Sequence, residues 1–488
     1  MIVYGRRSVI EAINSDLEIQ KAFIKKNAVN MEKIISKLNK KNIPISFVPI
    51  EKPIFSMAYD SQAGEEPETK LRLMIATEPA LEVPIDDETP PSFGEDAKMV
   101  RNAKSYLDRL RKSSRTKNRN VKVLAQNIDQ ESLLILRYLL PQKPPKKYGG
   151  QKTINTIAEA LRYVSLIPFI DDWQAFQGET EVWCTSEEFL ELRAGDWEEH
   201  AVLLMNYMMY IDAKAGNTQF EHFLVLGRAI PEGETVYVLR KKKTSTDPKD
   251  LENPIYVYDA SSGKEYDLAD PSIPLISIGS LVSTENIYAN VQPFEVPNLM
   301  TFDVENHKQW RAFFTKKYPK PEVTTCQEAE IEYSAPDPEK AELLEREILE
   351  TVQNDLRTWR ENEVGARRGT VSTRLLRNVG NALKGTLEDF EKALRGEEEF
   401  NEDVYRGKLR EISNLQGLFH NKSLHGFPIN CPFTDMKSIL AKVRDTNIHH
   451  NEAKDVKFAC AVKVFPYPNE IFSVWVFLLS ECEKQNTV

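Results

Sequence analysis

Residues 194–212 read AGDWEEHAVLLMNYMMYID, and this stretch limits the fold more than any other. Asp196 is placed to cap a helix, and Glu199 three residues on completes a capping-box-like pair. Acid in the first turn also complements the positive end of the helix dipole. Beyond it, Ala201, Val202, Leu203, Leu204, Met205, Met208, Met209 and Ile211 leave hardly any polar face. A helix apolar nearly all round is the central helix of a domain. HFLVLGRAI, TVYVLRKK and IYVYDASSG follow it as strands, with YDASSG turning at the last one's end. The spacing predicts a helix over 196–211 and strands over 235–240 and 255–259.

A central helix that points its N-terminus at strands is where papain- and transglutaminase-type enzymes place a thiol. The dipole and a nearby histidine lower the thiol pKa, and an Asp or Asn orients that histidine. This chain has the order of elements without the first two residues. Cys184, in VWCTSEEFL, lies near a second probable helix start, with His200 and His222 not far off in sequence. A live thiol enzyme would have to use it. The plainer expectation is that Cys184 is a small buried hydrophobe and His200 a packed residue. His449 and His450 are adjacent, so their rings are expected to point apart, and Cys431 is the only thiol nearby. No metal site and no cofactor are predicted. The Trp and Tyr residues of DWQAFQGETEVW and TENIYANVQPFEVP are expected in the core.

At 488 residues the chain should hold two to four folded units, in an α+β arrangement. A net charge of −10 argues against nucleic acid or anionic membrane as partner of the whole chain. Cys184, Cys326, Cys431, Cys460 and Cys482 are scattered without a C-x-x-C pair, as reduced thiols are. MIVYGRRSVIEAI shows no secretory signal, and AVLLMNYMMYI and FSVWVFLLS are too short to span a membrane, so a cytoplasmic protein is expected.

Residues 1–52 read as a small α/β module; 53–97 hold one strand, LRLMIATEP, and the acidic, proline-rich linker PIDDETPPSFGED. Residues 98–170 hold a basic helix and the lead-in to the core, including SLLILRYL as a strand and INTIAEALRYVSLIPFI as a helix. Short strands and turns surround the central helix over 171–320. Residues 336–420 are helical in period, and 421–488 give a helix, DMKSILAKVRD, then a hairpin around PYPNE. The basic stretch Arg101–Lys122 reads as a solvated face that could also contact phosphate.

GDWEEHAVLL, LVLGRAIPEGETVYVL, YDASSG, SIGSLVSTENIYANVQP, HGFPINCPF and FPYPNEIFSVWVFLLS occur in that order. Together they resemble the coiled-coil and C2 domain-containing proteins of the ciliary transition zone, the Meckel–Joubert group, and a related centriolar protein. The resemblance covers about residues 70–488. It implies a transglutaminase-like, papain-related core without peptidase residues, serving as a non-enzymatic scaffold at the transition zone or basal body. The partners implied are other transition-zone proteins, and the role is support of cilium assembly. Carried over by position, the nucleophile's seat is Trp197, the base's seat is Thr235, and the orienting acid is Asp259. Asp259 is also expected to bond its own turn. LRLMIATEP then reads as the last strand of a C2 domain whose body is missing, so neither calcium nor lipid binding is expected, and local instability is expected over 53–85.

VYGRRSVIEAINSDLEIQKAFIKKN and KKNIPISFVPIEK resemble something else, the substrate-binding module of SpoU-type RNA ribose 2′-O-methyltransferases. That implies weak RNA contact from residues 1–52. Neither half keeps the part its module would serve, so the junction near Lys52 reads as a chimeric join rather than a native fusion.

Overall fold

The computed structural model describes residues 22–25, 40, 45–48, 94–147, 152–175, 181–365, 373–397, 422–453 and 456–483. The chain divides into two units, residues 1–91 and 92–488. In the first, β1 (Ala22–Lys25) pairs in parallel with β2 (Ile45–Val48), Ala22 facing Ile45. Parallel neighbours need a crossover connection. The LRLMIATEP strand, most of the linker and the segment 398–420 lie outside the described residues.

The second unit opens with α1 (Ala97–Arg111), capped by Asp96. In the basic stretch after it Lys112, Arg115 and Lys117 are exposed, as a solvated face would be, while Arg119 and Lys122 are used internally. Arg119 donates to the carbonyls of Asn290 and Gln292 at 2.5 and 2.7 Å, and Lys122 pairs with Glu181 and Glu198. SLLILRYL is a strand only in part. β4 (Ser132–Leu134) pairs with β3 (Leu124–Gln126), then Ile135–Tyr138 coil into a 3-10 turn. Ile135, Leu136 and Tyr138 are all buried, which strict alternation on a half-exposed strand would not allow. After a helix α2 (Ile157–Ser165) and one short turn of helix, Asp172–Ala175, come α3 (Ser186–Leu192) and α4 (Trp197–Ala215). The last is the predicted central helix, one turn longer than expected and ended by Gly216 at φ 73°.

α4 lies on a seven-stranded antiparallel sheet made of β5 (Phe220–Ala229), β6 (Gly233–Lys242), β7 (Tyr256–Asp259), β8 (Lys264–Asp267), β9 (Leu275–Val282), β10 (Ile287–Asn290) and β11 (Trp310–Ala312). The order across the sheet is β11-β10-β9-β5-β6-β7-β8. Side-chain alternation splits its residues between two cores. Leu224, Leu226, Val236 and Val238 join α4, while Phe223, Val225, Tyr237 and Leu239 pack on the other face with Phe302 and Trp310.

The C-terminal region is more than the predicted hairpin. β14 (Lys457–Tyr467) and β15 (Ile471–Glu483) are joined by the PYPNE turn, as expected. β13 (Lys422–Pro432) pairs with β15 along its whole length, and β12 (Arg374–Leu375) pairs with β14. β13 contains Gly426, Pro428 and Pro432, which weaken any sequence signal for a strand. It stands at the sheet edge, where proline is tolerated. FACAVKVF is apolar on both faces because both are covered. Phe458, Val462 and Val464 meet α5 (Pro338–Trp359) and α7 (Met436–Asp445). Ala459, Ala461 and Phe465 meet α6 (Arg377–Leu394) and the main core.

One buried ion pair locks these layers together. Glu391 on α6, 0% exposed, accepts from Arg162 of α2 at 3.0 and 2.7 Å, and from Ser473, Trp475 and Tyr467. Burial alone would raise the Glu391 pKa, but Arg162 and these donors hold it below the ordinary range. Removing one partner of a buried pair leaves the other charge uncompensated, at a cost of about 3–5 kcal/mol. Glu391→Ala is therefore expected to lower unfolding free energy by that order in urea titrations, with much of the loss regained in Glu391→Ala/Arg162→Met. A single-variant loss under ~1 kcal/mol would dismiss the lock.

Candidate functional site

The start of α4 carries the residues that sequence singled out. Asp196 is the N-cap, accepting the Glu198 N–H at 3.0 Å, and Glu199 accepts the Asp196 N–H at 3.0 Å. The predicted capping box is present. Gly195 before it admits no side chain, because a Cβ would lie 2.8 Å from the Phe189 ring. Trp197 is the first helical residue and half-buried. Its indole packs on Phe169, ring centroids 4.7 Å apart, and Phe169 is itself exposed. Trp183 is in the core as expected, whereas Trp173 stands out in solvent.

Beneath these rings lies a cluster of acid. Asp172, Asp196 and Glu199 are all buried, and each offers a carboxylate oxygen within 4.8 Å of the others'. Their oxygens are occupied by backbone donors, Val182 on Asp172 at 2.6 Å and Cys184 on Glu199 at 3.0 Å. Burial raises the pKa of all three, and for Asp196 the closeness of Glu199 and Glu198 raises it further. Asp172 is pushed up to about 7, by burial first and then by Glu199. Lys122 reaches the edge of this group, 3.4 Å from Glu198.

This field opposes thiol chemistry. Cys184 is buried, and burial followed by the charges of Glu199, Glu188, Asp172 and Asp196 raises its pKa well above the ordinary value. An activated cysteine needs the reverse, a partly exposed and electropositive setting. His200 is fully buried with both ring nitrogens facing backbone carbonyls, Nδ1 that of Asp196 and Nε2 that of Ile167 at 3.0 Å. Burial lowers its pKa while the two carbonyl contacts act the other way, and the ring is a packed residue. His222 is at the far end of α4, 2.9 Å from Asp212, which Arg240 also binds. Burial alone would raise the Asp212 pKa, but His222 and Arg240 hold it well below the carboxylate range.

Trp197, Thr235 and Asp259 share no hydrogen bond or ring contact among the described residues. Thr235 alternates in phase with Tyr237 and Leu239, on the face turned from Val236, Val238 and α4. Its hydroxyl is buried without a hydrogen-bond partner. The spacing of the TVYV motif could not show which way that residue points. The Asp259 carboxylate accepts from the N–H and O–H groups of Ser261 and Ser262, which close its own turn.

The expectation for His449 and His450 is overturned. Their rings lie 4.1 Å apart, and both Nε2 atoms face Glu363 Oε2, at 3.1 and 2.6 Å. Adjacent residues point apart on a strand, but these two sit in a 3-10 turn, Ile448–His450. Sequence gave no sign of Glu363, which lies 86 positions upstream of His449. Cys431 is buried and not part of that group.

Comparison with known proteins fits this architecture. The family described as CEP76 peptidase-like domain matches residues 181–313, and the Centrosomal protein of 76 kDa C-terminal domain matches 339–483. RNA 2'-O ribose methyltransferase substrate binding matches residues 2–53. The second unit thus has an α+β, peptidase-like fold joined to a C-terminal sheet-and-helix region. Within that class the resemblance expected from sequence is found. The chain is similar to Protein CC2D2B of Homo sapiens, 28% identical over 75% of this chain and 24% of that protein. It is similar to Coiled-coil and C2 domain-containing protein 2A of Drosophila melanogaster, 26% identical over 70% and 23% respectively. Centrosomal protein of 76 kDa of Pongo abelii is 23% identical over 40% and 28%. The chain spans about a quarter of the length of these relatives.

The acid cluster has a pH signature. Folded Asp172 stays protonated until about pH 7, whereas an unfolded aspartate ionises near ~3.9. The folded state holds the extra proton between those values, so the stability contribution of this group falls as pH rises through them. Asp172→Asn is expected to flatten that slope and to be the more stable protein at pH 8, with a ceiling of ~4 kcal/mol at about 1.4 kcal/mol per unit. Parallel stability curves for the two proteins from pH 4 to 8 would contradict it.

Proposed function

We propose that the chain is a non-enzymatic scaffold of the ciliary base, binding other transition-zone proteins through its degenerate peptidase-like fold and its C-terminal region. The observation that carries this reading is the start of α4. Trp197 takes the nucleophile's seat, and buried carboxyl groups stand where a thiolate would need positive charge. Thr235, in the base's seat, has no ionisable group near neutral pH and lies in phase with the far face. Asp259 orients a turn rather than a histidine. Without nucleophile or base there is no acyl-enzyme route. The similarity to a centrosomal protein and to coiled-coil and C2 domain-containing proteins supports the location, and half-exposed aromatic rings at the start of α4 suit protein contact.

A tagged full chain expressed in ciliated cells is expected at the ciliary base, co-purifying with transition-zone proteins. Diffuse signal without such partners would defeat the reading. A diffuse pool released by ribonuclease would instead favour RNA contact by residues 1–52, a second reading supported by the family match there.

Restoring the sulfur should not restore the chemistry. The thiol of Trp197→Cys is expected to titrate above ~8.5, the free-cysteine value, because buried carboxyl groups rather than a cationic partner line the start of α4. The rate of iodoacetamide alkylation against pH measures this. A thiolate below pH 7, or peptide hydrolysis by the variant, would show that the site had kept its field.

A further inference from the structure

Glu363, His449 and His450 meet in the C-terminal region, away from the central helix. α5 ends at Trp359 and the chain continues as a π-helical turn, Arg360–Gly365, that carries Glu363. Such turns are rare and recur at functional sites. Each of the three residues offers one ligand atom within 4.8 Å of the other two.

The surroundings hold these groups in place. Arg360, buried, donates to the carbonyls of His449 and Asn451 at 2.8 and 2.7 Å, which fixes the turn carrying both rings. Arg444 donates to Glu363 Oε1 at 2.7 Å, leaving Oε2 turned to the imidazoles. Trp359 packs on His449, centroids 5.5 Å apart. His449 is 1% exposed and aims its Nε2 at Glu363. The His450 side chain, 42% exposed, keeps one side open to solvent.

We propose that Glu363, His449 and His450 bind one divalent transition-metal ion, with Zn²⁺ the best match. Two imidazole nitrogens and one carboxylate oxygen suit a borderline ion, whereas Mg²⁺ and Ca²⁺ favour oxygen alone. Tetrahedral bonds of about 2.0–2.2 Å set ligand atoms roughly 3.3 Å apart. The observed 2.6 and 3.1 Å reach that spacing by a small outward shift of the exposed His450. Three protein ligands leave a fourth position on the solvent side, for water or for a side chain of a bound protein. The Arg444 charge opposes a cation while its hydrogen bond orients the carboxylate, so the ion is held moderately and lost to strong chelators.

The test is Zn²⁺ titration of the full chain at neutral pH, in competition with a chromophoric chelator, together with X-ray absorption at the zinc edge. One equivalent is expected, with two imidazoles in the absorption spectrum. His450→Ala and Glu363→Gln should each weaken binding at least ~10-fold. His450→Ala removes an exposed ring, and unchanged circular dichroism would show that the fold survives. No binding by the folded chain, or equal binding by both variants with sulfur in the spectrum, would overturn the site.

Discussion

The Arg162–Glu391 pair is the constraint on which the second unit's architecture turns. α2 belongs to the layer over the central helix, and α6 to the layer over the C-terminal sheet. A fully buried carboxylate is tolerable only when its oxygens are filled, and here four side chains from three elements fill them. Arg162 also donates to Ser473 and Asn430, which carries the connection across β15 to the edge strand β13. Regions that sequence separates, the peptidase-like fold and the hairpin end, are thereby joined in one apolar core running from Met99 to Leu479.

The start of the central helix shows how capping and thiol activation compete for the same groups. A helix N-terminus presents N–H groups without intrahelical partners and a positive dipole end. In a thiol enzyme those features stabilise sulfur as an anion. Here Asp196 and Glu199 occupy them, and Asp172 crowds the same space, where burial raises the pKa of all three. Capping therefore stabilises the helix at the expense of the field a nucleophile would need.

Much of this was legible from local chemistry. The capping box, the apolar helix, strands β5 to β7 and the β14–β15 hairpin follow from cap residues and periodicity within a few neighbours. What escaped depends on contacts distant in sequence or on direction. β13 was hidden by its prolines, which only an edge position permits. The facing of Thr235 is a matter of strand phase that motif spacing cannot supply. Asp259 was the exception, since an aspartate before two serines already suggests a self-bonded turn.

Histidines 449 and 450 mark the same divide most sharply. Adjacent positions diverge when the backbone is extended, so their convergence depends on the 3-10 turn, and that turn depends on Arg360 reaching across from another helix. The π turn places Arg360 on the buried side and Glu363 on the side facing the rings. One irregular turn thus supplies both the clamp and the carboxylate. An uninterrupted α-helix would repeat every 3.6 residues rather than at the wider π spacing, and residues 360 and 363 would then lie on nearly the same face. The geometry at Glu363 is a property of that irregularity and not of residue composition.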